Sequence, residues 1–234
     1  LTMAKDIRVV MIKLAHRLHR MRTLATLSAK EQQAIAHETL SIYAPIAGRL
    51  GMYHMKGDLE DLAFQYLYPS HYAKLFAELN KYGKEREKYI ASAKEQLLKI
   101  LKQEGVVPEL IEGRIKHLYS IYRKMLEKGR DSIADIFDIF AMRIILPVDT
   151  RDGRESVGNC YTTLGIIHNH WTPIPKRFKD YIAVPKVNGY RSLHTAVLGL
   201  GAELRNQPTE IQIRNSVMHR EAEFGVSAHW WYKE

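Results

Sequence analysis

Thr209-Glu210-Ile211-Gln212-Ile213-Arg214 alternates strictly between polar and apolar side chains. A period of two belongs to a β-strand, and it puts Glu210, Gln212 and Arg214 on one face and Ile211 and Ile213 on the other. An acid, an amide and a guanidinium on one exposed face suit the lining of a polar site, or an edge strand facing water. Working outward, 193–198 and 180–184 also read as strands, and 140–146 is a β-rich run stopped by Pro147. Helical patterns fall at 117–127 and 161–170, and the polar, glycine-containing stretch 149–158 reads as a loop. Strands interleaved with helices predict a domain built on a mixed sheet.

Upstream, the first hundred residues read as helical. Ile7, Val10, Leu14, Leu18 and Met21 recur every three or four residues, one face of a helix. A second helix is expected from 29 to about 43, before Pro45. A third starts near Lys56 with Leu59, Leu62, Ala63 and Tyr66 inward, and ends before Pro69. Ser70 is placed to cap one long helix running toward Leu101. Gly105 and Pro108 close this region, so the fold class is α+β, helices first and the sheet after.

The chain of 234 residues carries a net charge of +9, and its 46% hydrophobic content is enough to bury a core. It begins at Leu1 and ends at Lys233-Glu234, and is expected to be a piece of a longer protein. No run approaches the ~20 apolar residues of a membrane span. The single cysteine, Cys160, excludes an internal disulfide, fits a reducing cytosol and is expected to be a buried structural thiol. The positive charge is clustered. Residues 113–130 hold six cations against one acid, Glu127, and residues 176–191 hold five against one acid, Asp180. Interleaved Tyr119, Tyr122, Tyr181 and Tyr190 make an anionic partner a better reading than a merely soluble surface.

Two further features bear on chemistry. Asp138 enters a very apolar run, where a carboxylate is costly unless paired, hydrogen-bonded or metal-bound. Arg143 is one available partner; convergence of Asp138 with Glu210 on Mg²⁺ is the other reading, since that hard cation takes one or two carboxylates plus phosphate oxygens. Lys186, Asn188, Tyr190, Arg191 and His194 crowd an Asn-Gly turn, which is either a simple hairpin or, with an exposed tyrosine among cations, a base-stacking platform. The P-loop pattern is absent, Gly199-Leu200-Gly201 does not complete a dinucleotide fingerprint, and His168-Asn169-His170 is too short to argue for a metal nuclease.

In order, the chain reads Gly113-Arg114-Ile115-Lys116-His117, Asp138 through Ile145, Arg177-Phe178-Lys179-Asp180-Tyr181, Asn188-Gly189-Tyr190 with Ser192-Leu193-His194-Thr195, Glu210-Ile211-Gln212-Ile213-Arg214, and Met218-His219 through Ala228-His229-Trp230. This series resembles the synthetase domain of RelA/SpoT stringent-response proteins, across residues 113–234. Residues 5–68, with Tyr43-Ala44-Pro45 and Gly48-Arg49-Leu50-Gly51, resemble the last helices of that family's hydrolase domain and its linker. The resemblance implies three parts: 1–68 hydrolase-derived, 69–108 a connecting helical region, and 109–234 a synthetase with a nucleotidyltransferase-like mixed sheet and flanking helices.

It further implies a cytoplasmic enzyme that transfers pyrophosphate from ATP to the 3′-hydroxyl of GDP or GTP and releases AMP. Asp138 and Glu210 would hold Mg²⁺, and Glu210 would also take the acceptor proton. Arg114, Lys116, Lys124 and Arg143 would contact ATP. Tyr190 would stack on guanine, with Lys186, Asn188, His194, Arg177, Lys179 and Gln212 around the acceptor nucleotide. Contacts to the ribosome and uncharged tRNA would run through regions outside this chain. The family's active hydrolases have aspartate and asparagine where this chain has His16 and Arg20, so no hydrolase function is expected here. Arg177-Phe178-Lys179-Asp180 is, in contrast, the basic form that bifunctional members carry. The other readings are a catalytically silent guanine-nucleotide binder and a plain nucleic-acid-binding module.

Overall fold

The computed structural model describes residues 6–81, 83–130, 140–151, 154–201 and 208–225. Asp138 and the closing Ala228-His229-Trp230 lie outside them. The chain is α+β, as expected: helices first, then a mixed sheet. Helix α1 (Ile7–Arg22) is capped by Asp6, and α2 (Ala29–Glu38) by a Ser28/Glu31 capping box. Pro45 does not end the second helical stretch. A π turn, Thr39–Tyr43, leads directly into α3 (Ala44–Arg49), where proline stands in the first turn and needs no amide proton. Helix α4 (Tyr53–Leu67) buries Leu59 and Ala63 completely against α1 to α3.

The long helix expected toward Leu101 is seen as α5 (Pro69–Lys81) and α6 (Gly83–Gln103) on either side of residue 82, which lies outside the described residues. Proline itself opens α5, so Ser70 is not its cap. Helix α6 belongs to the core of the sheet, where Tyr89, Ala93, Leu97 and Leu101 are buried. Strand β1 (Leu110–Ile115) was not anticipated; α7 (Leu118–Lys128) and β2 (Phe140–Leu146) follow close to their expected places. The stretch read as a loop after Pro147 forms a small hairpin, β3 (Asp149–Arg151) with β4 (Arg154–Ser156). Helix α8 (Gly158–His170) buries Cys160. Then come β5 (Thr172–Pro173), β6 (Lys179–Asp180), β7 (Leu193–Leu198), β8 (Thr209–Asn215) and α9 (Ser216–Phe224). The strand expected at 180–184 is only the two residues of β6, because Asp180 Oδ1 accepts the amides of Ile182 and Ala183 and turns the chain.

The sheet order is β1-β2-β8-β7-β5, with β6 also on β7. Among the described strands only β2 and β8 pair in parallel. The register sorts side chains by chemistry. Ile111, Met142, Ile144, Ile211, Ile213, Leu193 and Val197 share the face packed on α6 and α8. Each fully buried aliphatic there contributes about 1.5–3 kcal/mol. The opposite face carries Glu112 and Arg114 from β1, Arg143 from β2, Glu210, Gln212 and Arg214 from β8, and His194 from β7.

Candidate active site

That polar face does not look into open water. Glu210 and Gln212 are half-buried and Arg214 is only 1% exposed, because α9 and α4 roof the sheet. Among the described residues, two cavities lie against this face. The larger, about 450 Å³, is lined by Lys116, Lys124, Lys128, Arg177, Lys179 and Lys186 together with Tyr181, His194 and Glu210. Among the described residues, six cations and one carboxylate line it. The smaller, about 180 Å³, lies under α4 and is lined by Arg114, Arg143, Arg214, Gln212 and Tyr190, with Tyr53, Lys56, Gly57 and Glu60 from α4. Lys186 and His194 border both.

Glu210 lines the larger cavity. Burial alone would raise its pKa, but hydrogen bonds from His194 and Gln212, with Lys116 near, hold it at about 2. Gln212 Nε2 donates to Oε1 at 2.9 Å, and His194 Nδ1 lies 3.2 Å from the same oxygen. The carboxylate is therefore ionised at neutral pH, which fits one hard-oxygen ligand for a divalent cation. Its register partner on β2 is Ala141, three residues after Asp138.

Arg143, set against Asp138 or ATP by the sequence, is 4% exposed and donates to Glu112 at 2.7 Å and Glu223 at 2.8 Å. Arg214 donates to Glu223 at 3.0 Å, while its Nε has no hydrogen-bond partner. Burial first and Arg143 second lower the Arg214 pKa to about 10, and the same two causes lower that of Arg114. Glu112 and Glu223 were not singled out from sequence, and His219 entered only as part of a motif. The alternation of Glu112 and Arg114 about Gly113 was the available signal for the first.

Tyr190, read as exposed, is enclosed. Its hydroxyl meets His194 Nε2 at 2.8 Å, Tyr53 stands edge-on at 5.5 Å, and the Lys186 ammonium lies 4.9 Å from the ring centre. Lys186 also sits 4.6 Å from the Tyr181 ring, and burial followed by Lys179 lowers its pKa. Asn188, expected at the guanosine, donates to the Gly48 carbonyl at 3.0 Å and to Tyr53 Oη at 2.5 Å. The two histidines near β5 are apart in role: His168 binds Thr195, and His170 binds Glu104. Among the described residues no three metal-ligating side chains cluster, and no helix is long and apolar enough to cross a membrane.

A mixed sheet with one ionisable face and a cation-rich cavity that holds the ionised Glu210 defines an α+β protein whose site suits anions. The chain belongs to the RelA/SpoT family: the family described as "Region found in RelA / SpoT proteins" matches residues 113–234, and an HD domain matches residues 1–53. It is 48% identical over 234 residues to a "Probable guanosine-3′,5′-bis(diphosphate) 3′-pyrophosphohydrolase" of Synechocystis, and equally to a "GTP pyrophosphokinase" of Myxococcus xanthus. Each comparison covers 100% of this chain and 29% of the relative. A "Bifunctional (p)ppGpp synthase/hydrolase RelA" of Mycobacterium tuberculosis is 42% identical over 232 residues, 99% of this chain and 30% of its own. The chain thus spans less than a third of the length of these relatives. The crystal structure of small alarmone synthetase 1 from Bacillus subtilis bound to pppGpp aligns with a TM-score of 0.49 and 25% identity, over 68% of this chain and 81% of that one.

Proposed function

We propose that this chain is the (p)ppGpp synthetase portion of a RelA/SpoT protein, transferring pyrophosphate from ATP to the 3′-hydroxyl of GDP or GTP. The observation that carries it is the larger cavity, where six cations surround the ionised Glu210. Two polyphosphates repel each other, so bringing them into line calls for a concentrated positive field around the reacting atoms. The names "GTP pyrophosphokinase" at 48% identity and "Bifunctional (p)ppGpp synthase/hydrolase RelA" at 42% support this reading, while the relative named as a pyrophosphohydrolase supports hydrolysis instead.

In the reaction, the acceptor 3′-oxygen bonds to the β-phosphorus of ATP. The bond from that phosphorus to the α,β-bridging oxygen breaks, and AMP leaves with the electron pair. Lys116, Lys124 and Lys128 on one wall and Arg177, Lys179 and Lys186 on the other hold the phosphates. Glu210 receives the acceptor proton. A carboxylate held at about 2 is a weak base, which suits a loose transition state where the hydroxyl becomes acidic only as the new bond forms. Mg²⁺, held by Glu210 and, by the family resemblance, Asp138, would neutralise phosphate charge. Arg114 and Arg143 lie in the smaller cavity beside Tyr190, and their part in holding ATP requires ligand to reach beneath α4.

Residues 1–68 are read as hydrolase-derived helices without hydrolase activity, and the protein as cytoplasmic. Incubating the chain with ATP, GDP and Mg²⁺ and measuring AMP and ppGpp tests the assignment. Nucleotide binding without AMP release would leave a silent binder instead.

A further inference from the structure

We infer that His194 is a positioning residue that ties the acceptor platform, Tyr190, to the reacting carboxylate, Glu210. The inference rests on the synthetase reading and deepens it. The imidazole stands on β7 opposite Gln212 of β8 and is 15% exposed. Its Nδ1 lies 3.2 Å from Glu210 Oε1, and its Nε2 lies 2.8 Å from Tyr190 Oη. An ionised carboxylate can only accept, so Nδ1 is the donor to it, and in the tautomer with its one proton on Nδ1 the Nε2 atom accepts the tyrosine O–H. The two bonds run one way, from tyrosine through histidine to carboxylate.

The ring has little freedom to do anything else. Tyr181 stands perpendicular to it at 5.2 Å and also edge-on to Tyr190 at 6.0 Å. Gln212 reinforces the same carboxylate oxygen, Oε1. No hydrogen bond among the described residues engages Oε2, which is left for the reaction. A histidine that served only to contact nucleotide would use one nitrogen; here both are committed to side chains with different tasks. A purine seated on Tyr190 shifts the phenol, the phenol shifts the imidazole, and the imidazole sets the aim of Oε2. Acceptor binding and carboxylate orientation are thereby coupled through one ring.

The two nitrogens can be separated by substitution. His194→Asn puts an amide near the position of Nδ1 and deletes the link to Tyr190. His194→Gln reaches the position of Nε2 and deletes the link to Glu210. Steady-state kinetics with ATP, GDP and Mg²⁺ should show His194→Asn raising the acceptor KM about tenfold with kcat within about threefold. His194→Gln should lower kcat on the order of 10²-fold, with acceptor KM within about threefold. Tyr190→Phe removes the same bond as His194→Asn, so the double variant should be no worse in acceptor KM than either single one.

Equal losses in both parameters for both histidine variants, or multiplying effects in the double variant, overturn the proposal. If thermal melts show the histidine variants unfolded, Tyr190→Phe decides alone, since its ring still packs: an unchanged acceptor KM sinks the link. A wild-type chain that releases no AMP removes the synthetase reading and this inference together. An active wild type without the split removes only the inference.

Discussion

Glu210 carries the most specific expectation at the scale of single residues. Glu210→Gln keeps the shape and the neighbours His194 and Gln212 but removes the charge and the proton-accepting oxygen. Single-turnover ppGpp formation should fall by about 10²–10⁴-fold, the usual worth of general-base help, while ATP binding without metal changes little. Near-normal turnover would remove Glu210 from the chemistry. Glu223 carries a different expectation, about stability. Burial would raise its pKa, but Arg143 and then Arg214 outweigh burial and lower it below the usual 4.5. A depressed carboxylate stabilises the fold fully above its unfolded value and progressively less as pH falls through the folded one. Glu223→Gln leaves two buried guanidiniums short of charge, and should cost about 1–3 kcal/mol at pH 7 by urea denaturation. The gap between variant and wild type should narrow as pH drops below about 4.5. A gap unchanged down to acid pH would mean that Glu223 acts by packing alone.

Among elements, the docking of α4 on α7 matters most, because α7 carries Lys124 and Lys128 into the larger cavity. Asp61 of α4 accepts the Tyr119 amide at 2.9 Å and meets His117 Nδ1 at 2.8 Å, so one helix caps the first turn of another. Gly57 makes the approach possible: a Cβ there would stand 2.1 Å from His117 Nε2. The imidazole cannot swing aside without leaving Asp61. Gly57→Ala should therefore push α7 outward and cost about 1–3 kcal/mol, seen as a lower Tm and weaker ATP binding. An unaltered Tm would show that the two helices can part freely. Elements differed in how well sequence revealed them. β2, β7 and β8 stood out by β-branched runs and alternation, whereas β1 (Leu-Ile-Glu-Gly-Arg-Ile) is interrupted by glycine and shows itself only by pairing antiparallel with β2. The cap on α7 comes from 58 residues away in sequence, beyond any local pattern.

At the scale of the whole molecule, the N-terminal helices, whose residues 1–53 match an HD domain, reach the candidate active site. His16 and Arg20 are both exposed on α1, whereas Tyr53 of α4 and the Gly48 carbonyl of α3 hold Asn188 beside Tyr190. Incubation of the chain with ppGpp and Mn²⁺ should release no pyrophosphate; measurable release would restore a hydrolytic role to these helices. The sequence by itself determined the strand faces, since a period of two fixes which side chains of β8 share a side, and it placed Glu210, Gln212 and His194 in ordered motifs. It also fixed the α+β order and the two basic clusters, which depend on neighbours a few residues apart. Only the tertiary structure decided where those cations go: Lys116 and Lys124 to the larger cavity, Arg114 and Arg143 to the smaller one under α4. It also decided that Arg143 answers to Glu112 and Glu223, and that Tyr190 is enclosed by Tyr53 and Lys186. The physical reason is the same in each case. Alternation assigns a side chain to a face, but its partner is set by whichever element packs over that face, and those elements come from 30 to 140 residues away.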